Sequence, residues 1–228
     1  VLDPRTGEIL GCVSQPTYTP EKVHAEWNNY FYSKTTPLKN RAFEGLYEPG
    51  SIIKIITSAA AVEKNINLNS VFPFYCKGYT YIDGKIFYDW QKHKTVRSLE
   101  EAFDTSCNMG YARLGFALGE DTLFEFNNRF GFNSLPKTIR LPMAVSTSPK
   151  LGLTRYELAE TATGLGKDFR ITPLNARSGS FTGARAMPRS SRAARNSRIC
   201  ASVVNSCSCT STIGKRARKF FRAGGRMP

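Results

Sequence analysis

Ser51-Ile52-Ile53-Lys54 sets a hydroxyl and an amine three residues apart, just after Pro49-Gly50 and at the head of a run, Ile52 to Glu63, that reads as a helix. At that spacing both side chains share one helix face. A helix N-terminus, with its free N–H groups and its dipole, favours negative charge developing at the serine. Ile52, Ile53, Ile55 and Ile56 surround the lysine with apolar bulk. Burial disfavours an ammonium and lowers its pKa. A lysine that is partly neutral can take the proton of Ser51 and make it a nucleophile. The bland alternative is a serine that only caps a helix and a lysine that snorkels to water. Chance matches such as Ser134 with Lys137 and Thr147 with Lys150 lack the helix-start context of Ser51.

Ser106-Cys107-Asn108 is the only S-x-N in the chain. Ser106 could relay a proton between Lys54 and a leaving group, and the Asn108 amide could hold a substrate carbonyl; the bland alternative is a polar helix turn facing water. A Ser-His-Asp triad competes poorly, because neither His24 nor His93 sits beside a G-x-S-x-G elbow. Gly164-Leu165-Gly166 has neither the preceding strand nor the third glycine of a dinucleotide loop.

These residues need a scaffold. Val1 to Ser14 reads as a hairpin around Pro4-Arg5-Thr6-Gly7, at the edge of an antiparallel sheet. A polar loop with Trp27, Tyr30, Phe31 and Tyr32 follows. Ala59, Ala60, Ala61 and Val62 mark the Ile52–Glu63 helix as buried and central. Residues 70–92 are aromatic and turn-rich, irregular or a small hairpin. Ser98 to Leu118 reads as one helix, opened by a Ser98/Glu101 capping-box spacing and containing or ending at Ser106. Asp121 to Phe130 and Thr154 to Thr163 are further helices. Helices in the middle of a chain that begins with sheet predict an α+β fold.

The net charge of +14 invites a nucleic-acid reading, but its distribution decides otherwise. Residues 1–175 hold 20 Lys+Arg against 18 Asp+Glu, while residues 176–228 hold 12 Lys+Arg and no acid. That Arg- and Ser-rich tail lacks any sustained period and is read as a separate segment, disordered or a non-native translation. Nucleic acid is not expected as a partner. Cys12, Cys76, Cys107, Cys200, Cys207 and Cys209 show no paired C-x-x-C spacing, so the cysteines read as isolated small hydrophobes, with no metal and no cofactor. No stretch approaches the roughly 20 apolar residues of a membrane span. The chain opens on Val1 with a strand-like segment already under way, so it is read as a fragment lacking its anchor.

Taken together, residues 1–175 resemble the class B penicillin-binding proteins. The resemblance rests on Leu2-Asp3-Pro4-Arg5-Thr6-Gly7-Glu8-Ile9-Leu10, Pro16-Thr17-Tyr18, Asn40-Arg41-Ala42, Tyr47-Glu48-Pro49-Gly50-Ser51-Ile52-Ile53-Lys54, Glu101-Ala102-Phe103 with Ser106-Cys107-Asn108, Phe130-Gly131-Phe132, and Gly164-Leu165-Gly166 with Thr172-Pro173-Leu174. Pro37-Leu38-Lys39-Asn40-Arg41-Ala42 leans toward an elongation-type enzyme. The resemblance implies an antiparallel sheet flanked by helices, with a helical subdomain and the active-site groove between them. It implies that a D-alanyl-D-alanine stem peptide acylates Ser51, that Lys54 is the base, and that Ser106 and Asn108 line the groove. β-Lactams would acylate Ser51 as substrate mimics. It further implies a membrane glycosyltransferase partner and a catalytic domain on the outer face of a bacterial membrane.

The family's third motif, Lys-Thr-Gly, has no counterpart, since Lys94-Thr95-Val96 and Lys137-Thr138-Ile139 lack the glycine and come too early. The strands that carry it are expected to be missing. Two alternatives stand beside the enzyme: a non-catalytic penicillin-recognising sensor or relic, and a basic binding protein with an incidental S-x-x-K.

Overall fold

The computed structural model describes residues 1–3, 8–135 and 142–176. The tail beyond residue 176, the turn at Pro4–Gly7 and the Lys137-Thr138-Ile139 stretch lie outside them. Two short helices, α1 (Trp27–Phe31) and α2 (Arg41–Glu44), replace part of the expected polar loop. A 3-10 turn, Gly50–Ile52, then runs into α3 (Ile53–Glu63), whose Ile53, Lys54, Ile56, Thr57, Ser58 and Ala59 to Ala61 are buried. The small alanine side chains let neighbouring helices close on it.

Four short strands follow. β1 (Phe74–Cys76) pairs antiparallel with β4 (Lys94–Val96), and β2 (Tyr79–Ile82) with β3 (Lys85–Tyr88). Asp83 and Gly84, both at positive φ, close the β2–β3 hairpin, as expected of an Asp-Gly two-residue turn. The helical layer continues with α4 (Leu99–Asp104), α5 (Asn108–Leu118), α6 (Glu120–Arg129) and α7 (Arg155–Thr163). Thr154 caps α7 in a complete capping box with Glu157. At Ser98 the box is split: Ser98 accepts from Glu101 N, while the Glu101 carboxylate turns to Arg97 N.

The core lies between α3, α5, α6 and α7 and includes Tyr111, Leu114, Leu123, Phe126, Phe132, Ala162 and Phe169. Gly115 lets α5 and α7 approach closely, since a Cβ there would stand 2.5 Å from Ala162 Cβ. Thr57 Oγ1 donates to Ala162 O at 3.0 Å and ties α3 to α7. A two-pronged Arg129–Glu63 ion pair, 2.7 and 3.0 Å, joins α6 to the end of α3.

The fold is α+β, as expected, but among the described residues the sheet consists of two-stranded ladders and single bridges. The expected first hairpin is one bridge, Leu2 with Ile9, supported by Asp3 N donating to Glu8 O. The larger correction concerns Ser98 to Leu118, which is two helices and not one. Ser106 N bonds Phe103 O and Cys107 N bonds Ala102 O, so α4 closes in a Schellman motif with Ser106 at the left-handed position, φ 52°. Cys107 then caps α5, its Sγ accepting from Gly110 N.

Candidate active site

The Schellman turn explains how a serine comes to face α3. A left-handed residue turns the chain sharply, which glycine does at little cost and serine only with strain. At Ser106 the turn points both the carbonyl and the hydroxyl at Lys54. Nζ donates to Ser106 O at 2.7 Å, to Ser106 Oγ at 3.0 Å and to Asn108 Oδ1 at 2.7 Å. Three donors meet three acceptors, so the ammonium is saturated. Ser106 Oγ in turn donates to Ser51 Oγ at 3.0 Å. The structure therefore brings Ser51, Lys54, Ser106 and Asn108 together, and the link from lysine to Ser51 runs through Ser106.

Lys54 does not snorkel: it is 1% exposed. Burial lowers its pKa to about 8, against the opposing pull of Asp89 and Cys107. Its ammonium lies 5.4 Å from the centre of the Tyr111 ring, which supports the charged form through its π face. A 2.6 Å hydrogen bond between Ser58 Oγ and Tyr111 Oη fixes that ring, and burial pushes the phenol up. Ser51, by contrast, is solvent-exposed at the head of its turn. A buried base with an exposed hydroxyl, joined by a relay, suits attack on an incoming carbonyl.

The nucleophile's position also depends on a contact between two glycines, Gly50 of the helix-start signal and Gly164, which lies 114 residues further along the chain. Gly164, at φ 82° after α7, accepts from Gly50 N at 3.0 Å, and a Cβ on it would fall onto Gly50 O. Gly50, itself at φ 59°, directly precedes Ser51. The end of α7 thus sets the entry of the chain into α3.

A second missed residue, Asp89, follows β3. Its Oδ2 accepts from Met109 N and Cys107 Sγ, both at 3.1 Å, and from Cys76 Sγ at 3.5 Å. Its Oδ1 accepts from Trp90 N at 2.9 Å and faces His93 Nε2 at 3.3 Å. Burial works to raise its pKa, but the hydrogen bonds from Cys107 and the amides prevail and hold it below the ordinary carboxylate range. Asp89 satisfies free amides at the start of α5 and so anchors the break that aims Ser106. Trp90 Nε1 adds a bond to Thr105 O, and Asn108 Nδ2 donates to Tyr88 O.

The expectation of isolated cysteines is corrected. Cys76 and Cys107 are buried but not apart: with Asp89 and His93 they offer ligand atoms all within 4.8 Å of one another. These are the described residues that could hold a metal ion. No C-x-x-C announced them because they come from four separate segments.

Comparison with known proteins places this geometry. Residues 1–177 match the family model described as penicillin binding protein transpeptidase domain. The chain is 33% identical over 176 residues to stage V sporulation protein D of Bacillus subtilis, and 34% identical over 187 residues to peptidoglycan D,D-transpeptidase PbpA of Mycobacterium tuberculosis. Each alignment takes in 76% of this chain but only 26% and 37% of those relatives. Among solved structures, the ceftriaxone acyl-enzyme complex of penicillin-binding protein A from M. tuberculosis superposes with a TM-score of 0.69 at 30% identity, covering 79% of this chain and 43% of that one. The D,D-transpeptidase domain of a peptidoglycan glycosyltransferase from Eggerthella lenta gives 0.70 at 27% identity, covering 79% and 47%.

Proposed function

The chain belongs to the penicillin-binding protein transpeptidase domain family, and from that premise we propose that the protein is a peptidoglycan D,D-transpeptidase acting through an acyl-enzyme on Ser51. The hydrogen-bonded run from Lys54 through Ser106 to Ser51 carries the reading. With Lys54 charged, each group donates toward Ser51. Loss of one proton from Lys54 lets the run reverse, so that Ser51 donates to Ser106 and Ser106 to the amine. Ser51 Oγ, stripped of its proton through Ser106, attacks the carbonyl carbon between two D-alanines. The C–N bond breaks, the relay returns the proton to the departing amine, and an ester remains on Ser51. The amine of a second stem peptide attacks that ester, forms the cross-link and frees Ser51. A β-lactam opens in the same way, but its leaving amine stays tethered and the ester persists.

Asn108 keeps one amide hydrogen beyond its bond to Tyr88 O, available to a substrate carbonyl. Residues 1–175 form the transpeptidase part of the chain in this reading. It also places that part on the outer face of a bacterial membrane, beside a membrane glycosyltransferase. Among the described residues no helix is long and apolar enough to cross a membrane.

Two measurements test the function. Fluorescent penicillin should label the protein covalently and fail to label Ser51→Ala. Turnover of a stem-peptide thioester should then distinguish a transpeptidase from a fold that only acylates, and labelling without turnover would reduce the protein to a penicillin sensor.

A further inference from the structure

The β2–β3 ribbon has two unlike faces. Ile82 and Phe87 point inward and pack with Ala112 of α5 and Ala159 of α7. The register sets Tyr79 opposite Tyr88 and Tyr81 opposite Ile86, so by the alternation of side chains along a strand these four share the outer face. Tyr81 and Tyr88 are 65% and 64% exposed, and Trp90, just past the end of β3, is 62% exposed. The Tyr79 and Tyr81 rings meet edge to face at 6.2 Å. Apolar side chains exposed singly need no explanation, but a contiguous aromatic patch marks a binding surface.

Place and chemistry together say what binds there. The patch begins where the active site ends. Tyr88 O accepts from Asn108 Nδ2 at 3.4 Å, and Trp90 Nε1 donates to Thr105 O, the neighbour of Ser106, at 3.0 Å. From Tyr88 the outer face runs on to Ile86 at about 3.4 Å per residue. A stem peptide whose D-alanine end lies at Ser51 is joined at its other end to the saccharide chain of peptidoglycan. A few extended residues reach only about 10–17 Å, so that saccharide lies within reach of the ribbon.

Tyrosine and tryptophan combine a flat apolar face with a polar edge. Sugar rings offer flat C–H faces rimmed by hydroxyls, and the two stack. The border of the patch is cationic. Lys77 Nζ lies 5.2 Å from the centre of the Tyr79 ring, and Lys92 lies beside Gly78, where an added Cβ would stand 3.7 Å from the Lys92 Cβ. The acids of the segment are turned to the body of the fold, Asp83 accepting from Tyr156 N and Asp89 from Met109 N, both at 3.1 Å. Carboxylates carried by the polymer therefore meet lysines.

We propose that the outer face of the β2–β3 ribbon, formed by Tyr79, Tyr81, Ile86 and Tyr88 and continued by Trp90, binds the saccharide chain from which the acyl-donor stem peptide hangs. This deepens the transpeptidase reading and rests on it. Sugar rings stack on the aromatic side chains, and Lys77 and Lys92 hold carboxylates of the polymer. A small β-lactam carries no saccharide and makes no use of the face.

Glycan strands stripped of peptide by an amidase, which keep their lactyl carboxylates, are the probe. Trp27→Phe leaves Trp90 the sole tryptophan. Its fluorescence should change saturably as the strands are added to the full chain. Tyr79→Ser and Tyr81→Ser should each weaken strand binding at least tenfold, while penicillin acylation stays within about twofold of the unaltered rate. Lys77→Gln should weaken binding at low salt and have no effect at high salt. The Trp90 titration needs no ribbon variant, so it stands even if one unfolds. No fluorescence change, or binding that both tyrosine variants leave intact, would overturn the saccharide site, and penicillin labelling at Ser51 would still support the transpeptidase reading. Strand binding by a protein that penicillin does not label at Ser51 would instead overturn that reading and the link to an acyl donor. Single-stranded DNA binding or self-association that Tyr81→Ser abolishes, with no binding of glycan strands, would give the face to another occupant and overturn the proposal.

Discussion

The hydroxyl of Ser106 donates to Ser51 Oγ across 3.0 Å, while the same oxygen accepts from Lys54 Nζ at 3.0 Å. A single atom therefore joins the buried base to the exposed nucleophile. It belongs to a residue whose backbone is left-handed, at φ 52°.

Replacing Ser106 separates hydroxyl from backbone. Ser106→Ala and Ser106→Gly both remove the relay, and each should slow acylation by about 100- to 10,000-fold, the range of a lost acid–base group. They should differ in stability. Glycine relaxes the left-handed strain that alanine keeps, so Ser106→Gly should unfold at higher urea than Ser106→Ala, by about 1 kcal/mol. Equal acylation by the unaltered protein and Ser106→Gly would remove the relay from the mechanism.

Burial of Lys54 predicts a pH profile. The relay needs a neutral amine, so the acylation rate should rise with pH through an inflection near the lowered pKa of about 8 and level off above it. Lys54→Arg, always charged, should be inactive at every pH. Stability follows the same shift. Between about 8 and the ordinary value of 10.5 the unfolded chain holds more protons than the folded one, so this group's contribution to stability rises with pH across that window. Below it the cost of burying the charge is present in full. Lys54→Met should flatten that rise in urea unfolding measured across the window.

Gly164 should be intolerant of a side chain. Its φ of 82° and the fall of a new Cβ onto Gly50 O mean that Gly164→Ala must move the residue preceding Ser51. We expect a loss of acylation larger than the loss of folded protein, read by comparing labelling per folded molecule. Labelling that falls only in step with folding would leave Gly164 a structural residue alone.

What could be read from the sequence divides along local and non-local lines. Ser51 and Lys54 lie within one turn at the head of α3, so spacing carried them; residues 70–92 were read as irregular or a small hairpin, although Asp83-Gly84 is a local turn signal for the hairpin. The break at Ser106 was hidden because Leu99 to Leu118 keeps a helical apolar stripe through it, and the residue that anchors the break, Asp89, acts from 20 positions upstream of Met109. Serine in a glycine's conformation gives no warning in composition. The cysteine cluster was hidden for a related reason: its four ligand atoms meet only after β1, β3, β4 and α5 have packed. Gly164 could have been weighed as a helix C-cap, since it follows a helical run, but its contact with Gly50 is long-range.

The central claim is that Ser51 is the acylated residue. Peptide mass mapping after incubation with benzylpenicillin tests it most directly. The account predicts one adduct, on the peptide containing Ser51, absent from Ser51→Ala protein that remains folded. An adduct on another residue, or one that persists in Ser51→Ala, would contradict it.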